Sequence, residues 1–152
     1  GILSKNDTTE SVIDAIATGC YEDARKSVEA AKATLDVLSA RYPMVLVSNF
    51  YGNIQAVLDD FKLTTYFPVV IESAVVGVRK PDPAIFRLGV EALALQPEEV
   101  VVIGDSYRKD IQPAQSLGCD TIWIKGAGWD DSEAAVQHDK IITDIAQLQE
   151  LL

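Results

Sequence analysis

Asp105 and Asp110 stand five residues apart in Gly104-Asp105-Ser106-Tyr107-Arg108-Lys109-Asp110, directly after the apolar run Val100-Val101-Val102-Ile103. A glycine at the end of a strand lets the backbone turn sharply. Asp105 is then fixed at the strand tip, and Asp110 is expected to return beside it at the start of the next helix. Two converging carboxylates form an oxygen-rich site of the kind that takes a hard cation such as Mg²⁺. Both residues also fit a plainer use, Asp105 in a turn and Asp110 as a helix cap, and their spacing alone does not separate the two uses.

Two more groups sit where strands should end. Ser48-Asn49 follows Met44-Val45-Leu46-Val47 and brings a hydroxyl and an amide able to donate hydrogen bonds to phosphate oxygens; an ordinary turn has the same composition. Lys80 precedes Pro81, whose ring restricts the backbone before it and so aims the ammonium. Taken alone, a solvated surface lysine is the usual explanation of such a residue.

The elements that must carry these residues are legible in the hydropathy. Met44–Val47, Val69–Ile71, Val100–Ile103 and Thr121–Ile124 are short, nearly unbroken apolar runs, as strands buried on both faces are. Between them the spacing turns helical. Ala24, Val28, Ala31, Leu35 and Leu38 line one face of a long helix, and Ile54, Val57, Leu58 and Phe61 line another. Asp82-Pro83 supplies a helix start ahead of Ile85, Phe86 and Leu88, Gly118 a stop after Leu117, and Asp144 to Gln147 a capping box. Alternating strands and helices predict an α/β fold, a doubly wound parallel sheet in three layers. Ligands of such sheets lie at the carboxyl ends of the strands, where Ser48, Lys80 and Asp105 all fall. Residues 1–22 differ, being polar with a weak helical stripe of Val12, Ile13 and Ile16 ending at Gly19. They read as a helical remnant beside a sheet domain of residues 23–152.

The chain's bulk properties narrow the partners. With 152 residues and 48% apolar composition it can bury a core. Its formal net charge of −10, from 23 acidic and 13 basic residues, repels polyanions, so no nucleic-acid partner is expected. No apolar run approaches the roughly 18 residues needed to cross a bilayer, and a cytoplasmic protein without membrane contact is expected. Cys20 and Cys119 lack metal-ligand spacing and read as reduced packing residues. His138 reads as an exposed loop residue, Trp123 as packing, and Gly126-Ala127-Gly128-Trp129 as a loop at the site rim without a dinucleotide fingerprint.

Ser after one strand, Lys-Pro after the next, and Gly-Asp-x-x-x-x-Asp after the third occur in that order. The set resembles the haloacid dehalogenase-like (HAD) hydrolase superfamily, in particular its phosphatase-type members with a helical cap. Leu46-Val47-Ser48-Asn49 is similar to the family's second motif, Lys80-Pro81-Asp82-Pro83-Ala84-Ile85-Phe86 to the third, and Gly104 to Ile111 to the fourth. The resemblance implies that Ser48 binds the transferring phosphoryl group of a small phosphorylated substrate with support from Asn49. It implies that Lys80 neutralises charge on that group and its nucleophile, as a catalytic and phosphate-binding residue. It assigns Mg²⁺ to Asp105 with Asp110.

The family's first motif, an Asp-x-Asp whose first carboxylate becomes an aspartyl-phosphate and whose second is the general acid/base, has no match here. Asp59-Asp60 and Asp130-Asp131 lack the spacing, and Asp7-Thr8-Thr9 follows polar residues. By the family's order the sequence begins late in the cap, and the absent strand belongs between the Met44 and Val100 strands. The isolated chain is therefore expected to be inactive. Its central gap is expected to be filled by a separate N-terminal piece, by a second copy through self-association, or by rearrangement of residues 1–22. Two other classes fit less of the sequence. A non-catalytic binding domain would keep the fold without the nucleophile. A receiver-type phosphoacceptor domain would carry its acidic pair after the first strand and its lysine after the last hydroxyl-bearing strand, whereas Lys80 here precedes the acidic loop.

Overall fold

A computed structural model describes residues 3–126, 133 and 135–152, the first eight of these by backbone only. The elements run α1 (Leu3–Arg41), β1 (Val45–Ser48), α2 (Ile54–Asp60), β2 (Val69–Glu72), α3 (Ser73–Val76), α4 (Ala84–Leu93), β3 (Val101–Gly104), α5 (Gln112–Leu117), β4 (Asp120–Ile124), β5 (Ile141–Ile142) and α6 (Leu148–Leu151). Two compact units are present, Gly1–Ala33 and Thr34–Leu152.

The first unit is helical throughout its described length. The helix does not end at Gly19, contrary to the expectation from sequence. A mid-helix glycine costs only about 1 kcal/mol relative to alanine, and here no proline or capping residue follows it. Ion pairs one turn apart, Arg25–Glu22 at 2.8 Å and Lys32–Glu29 at 2.8 Å, run along its surface. Val12, Ile13 and Ile16 are exposed. Residues 3–22 are helix here and supply no strand to the sheet.

In the second unit all strand pairs are parallel. β1 pairs with β2, Val45 opposite Val69 and Ser48 opposite Glu72, while β3 pairs with β4 and β4 with β5. Among the described residues the sheet is therefore in two pieces, β1-β2 and β3-β4-β5. One helix spans both. Ile85 and Phe86 of α4 pack with Ile71, with Val45 and Val47 of β1, and with Val102 of β3. Val90 of α4 meets Ala114 of α5 and Cys119 beside it. On the opposite face, Leu38 and Leu148 enclose Ile122 and Ile142, with Val101 and Ile124 against them. Val101 and Val102 thus go to opposite faces, as the period of two requires. The result is the predicted three-layer α/β arrangement, with β1 and β3 over one helix and, among the described residues, no strand between them.

Local signals settle as read, with two changes. Gly118 ends α5 in the left-handed region at φ 94°. Asp144 Oδ1 accepts the Ala146 N–H and Gln147 Oε1 the Asp144 N–H, so the capping box forms one turn ahead of α6. Pro83, not Asp82, occupies the cap position of α4, and Asp82 accepts the Ala84 N–H at 2.9 Å. Asp110 does not start a helix. It lies in a π-helical turn, Tyr107–Ile111, that leads into α5.

Candidate active site

The site is assembled from the carboxyl ends of β1 and β3 and from the segment between β2 and α4. Ser48, Asn49, Lys80, Asp105 and Asp110 all line one cleft, with Glu133 beside them. The five residues read from the sequence as candidate site residues therefore lie at one place.

Lys80 adds a polar link between the two sheet pieces. Its Nζ donates to Asp110 Oδ1 at 2.6 Å, with side-chain exposures of 18% and 5%. A pair this enclosed holds its geometry only when the other oxygens are satisfied, and Asp110 Oδ2 accepts the Ser106 N–H at 3.0 Å. The ammonium also lies 5.9 Å above the Phe86 ring. Lys80 is thus no solvated surface lysine.

At the edge of the cleft Asn49 spends its amide on Lys80. Its Nδ2 donates to the Lys80 carbonyl at 3.0 Å, and its Oδ1 accepts the Lys80 N–H at 2.8 Å. Both polar atoms of the amide are engaged, so Asn49 fixes the backbone of Lys80 and leaves Ser48 as the hydroxyl at the tip of β1. The loop that follows is held by Glu72, 6% exposed, whose carboxylate accepts the Gly52 N–H at 2.5 Å.

On the β3 side Gly104 has a different reason from the one its position suggests. A Cβ there would collide with the Cβ and carboxyl of Asp110. Glycine is needed for close approach. Asp105 is exposed at the strand tip, and its carbonyl accepts the Trp123 Nε1–H at 3.0 Å. Trp123 is buried, as a packing residue should be, but it also pins this tip. Asp105 and Asp110 are oxygen donors suited to a hard cation. Among the described residues no three His, Cys, Asp or Glu side chains gather into a metal-binding group.

Sequence reasoning missed Glu133. It is 6% exposed, and its carboxylate accepts the Tyr107 and Arg108 N–H groups at 2.9 Å each. Only the fold brings it to them, so no local signal marked it. His138 is half-buried, not exposed, with Nε2 2.8 Å from Thr121 Oγ1. The rim loop expected at Gly126-Ala127-Gly128-Trp129 lies outside the described residues from Ala127 onward. Cys20 and Cys119 are free thiols, exposed and buried respectively, and burial pushes the Cys119 thiol up, with a smaller contribution from Glu98. Among the described residues no helix is long and apolar enough to cross a membrane.

A family model described as haloacid dehalogenase-like hydrolase matches residues 3–118. The chain is similar to glyceraldehyde 3-phosphate phosphatase of Pyrococcus furiosus, at 37% identity over 97 residues covering 62% of this chain and 38% of that protein. It is 30% identical over 141 residues to haloacid dehalogenase-like hydrolase domain-containing protein 3 of Mus musculus, covering 88% and 56%. The crystal structure of a HAD phosphatase from Thermococcus onnurineus superposes with a TM-score of 0.66 at 28% identity, covering 83% of this chain and 54% of that one. The chain spans about half, or less, of the length of each of these proteins. Family match, fold and the order of Ser48, Lys80, Asp105 and Asp110 agree: the chain belongs to the haloacid dehalogenase-like hydrolases.

Proposed function

We propose that this chain is the phosphate-gripping and cation-holding half of a Mg²⁺-dependent phosphatase acting on a small phosphorylated metabolite in the cytoplasm, and that alone it is inactive. The observation that carries this reading is the Lys80–Asp110 pair at 2.6 Å. It ties the lysine of one sheet piece to the acidic loop of the other, at a cleft that Ser48 also lines. Phosphoryl transfer depends mainly on positioning and on neutralising charge. Ser48 would donate its hydroxyl to a phosphoryl oxygen. Lys80, its backbone held by Asn49, would bring positive charge to the phosphoryl group. Residues 1–22 would be the end of the helical cap.

Asp105 and Asp110 would hold the cation. Mg²⁺ is commonly bound by one or two carboxylates with waters and substrate phosphate completing its shell, so these two residues fit it in type and number. Bound there, it would neutralise charge on the phosphate. The aspartyl nucleophile and general acid/base of the family have no counterpart in the chain. The open slot between β1 and β3 supports the same reading, with a separate N-terminal piece or a second copy as the element that fills it.

The purified chain should show no Mg²⁺-dependent turnover of p-nitrophenyl phosphate, yet should broaden the ³¹P resonance of inorganic phosphate in a manner lost in Ser48→Ala. Turnover would overturn the inactivity. Phosphate broadening equal in both proteins would overturn the assignment of Ser48. The lack of an Asp-x-Asp motif favours a second reading, a binding domain that kept the fold without catalysis. The coding sequence immediately upstream decides between them, since an in-frame Asp-x-Asp strand there restores the enzyme.

A further inference from the structure

The four backbone N–H groups that follow Asp105 all have acceptors. Ser106 N–H goes to Asp110 Oδ2 at 3.0 Å and Lys109 N–H to Ser106 Oγ at 3.2 Å. The two between them go to one group, Tyr107 N–H to Glu133 Oε2 and Arg108 N–H to Glu133 Oε1, at 2.9 Å each. Ser106 Oγ approaches the same carboxylate at 3.5 Å. Glu133 is 6% exposed and has no ion pair with a described cation. Burying a carboxylate is unfavourable unless hydrogen bonds replace its water, and here backbone N–H groups do so through both oxygens.

The placement is selective. The Asp105 carbonyl is held by Trp123 of β4, and the peptides just beyond it are held by Glu133, which follows β4 in the chain. Asp105 itself is exposed and its carboxylate accepts no hydrogen bond from a described side chain. Its position is therefore set by the backbone on either side of it. Both oxygens of Glu133 are engaged by backbone N–H groups, so it holds the loop from behind.

We propose that Glu133 is the positioning residue of the cation site, fixing residues 106–108 so that Asp105 stands at a set place relative to Asp110. The proposal rests on the cation reading above. Groups that support ligands from behind typically change metal affinity by about 10- to 100-fold when removed. The test is a Mg²⁺ titration of the ¹⁵N-labelled chain, read from the amide shifts of residues 104–110, with Asp105→Asn as the control that should abolish them. Glu133→Gln should weaken the apparent affinity by about tenfold while its melting temperature stays near wild type. In Glu133→Ala, amide exchange should accelerate at Tyr107 and Arg108 and not along Val101 to Ile103. If wild type and Glu133→Gln bind Mg²⁺ equally, or if exchange rises evenly through β3, Glu133 is a structural residue and the proposal falls. If wild type shows no Mg²⁺-dependent shift, the cation reading falls and takes the proposal with it.

Discussion

Lys80 and Asp110 neutralise each other in a place where neither could stand alone. With exposures of 18% and 5%, removing one partner strands the other in low dielectric, which typically costs about 3–5 kcal/mol. Lys80→Met should therefore lower the unfolding free energy by about 3 kcal/mol, measured by urea denaturation. Lys80→Met combined with Asp110→Leu should recover much of that loss, because a buried pair replaced by apolar groups is often neutral or stabilising. Residue types at the site were readable because each carries its chemistry openly: a lysine before proline, two aspartates after a strand. Their partners were not. That Asn49 would use both amide atoms on Lys80, 31 residues on, is a tertiary fact. So is the meeting of Glu133 with backbone groups 25 and 26 residues earlier.

At the scale of elements, the apolar runs located the four longer strands within a residue or so. Val100–Ile103 became Val101–Gly104 and Thr121–Ile124 became Asp120–Ile124. Strands buried between helices announce themselves by continuous β-branched character. β5 did not, since two residues, Ile141 and Ile142, are too few to show a period. The stop expected at Gly19 failed because a single glycine is a weak signal against a surrounding helix. Among the described residues no strand pairs with the facing edges of β1 and β3, and this has a measurable consequence. Backbone groups on such an edge are open to water or to another strand. Amide exchange in the isolated chain should be faster along the side of β1 and β3 that faces the slot than along β2 and β4. Sedimentation should show mass rising with concentration if a second copy fills the slot.

For the whole molecule, charge dominates. The chain carries −10 at pH 7 with an isoelectric point near 4.4, and this charge opposes non-specific association in neutral solution. Acidification removes that repulsion. Asp120 has its carboxyl held below the ordinary range chiefly by the hydrogen bond from Lys140. Its folded pKa is depressed, so its contribution to stability is present above the unfolded value of about 3.9 and is lost as pH falls through the lower folded value. Being half exposed, it contributes little. Solubility should therefore pass through a minimum near pH 4.4 before the fold itself is lost, a separation that turbidity and circular dichroism recorded on the same samples would reveal.

The hydrogen bond from the Trp123 indole to the Asp105 carbonyl turns the chain into its own optical instrument. An indole buried against the tip of β3, with the Tyr107 ring 5.5 Å from its own, emits at a wavelength and intensity set by the dipoles of that loop. An occupant of the acidic cleft that shifts the Asp105 peptide should change this emission. In a Trp129→Phe background the remaining tryptophan becomes a single-site lamp, and the loop can be watched in real time without a label.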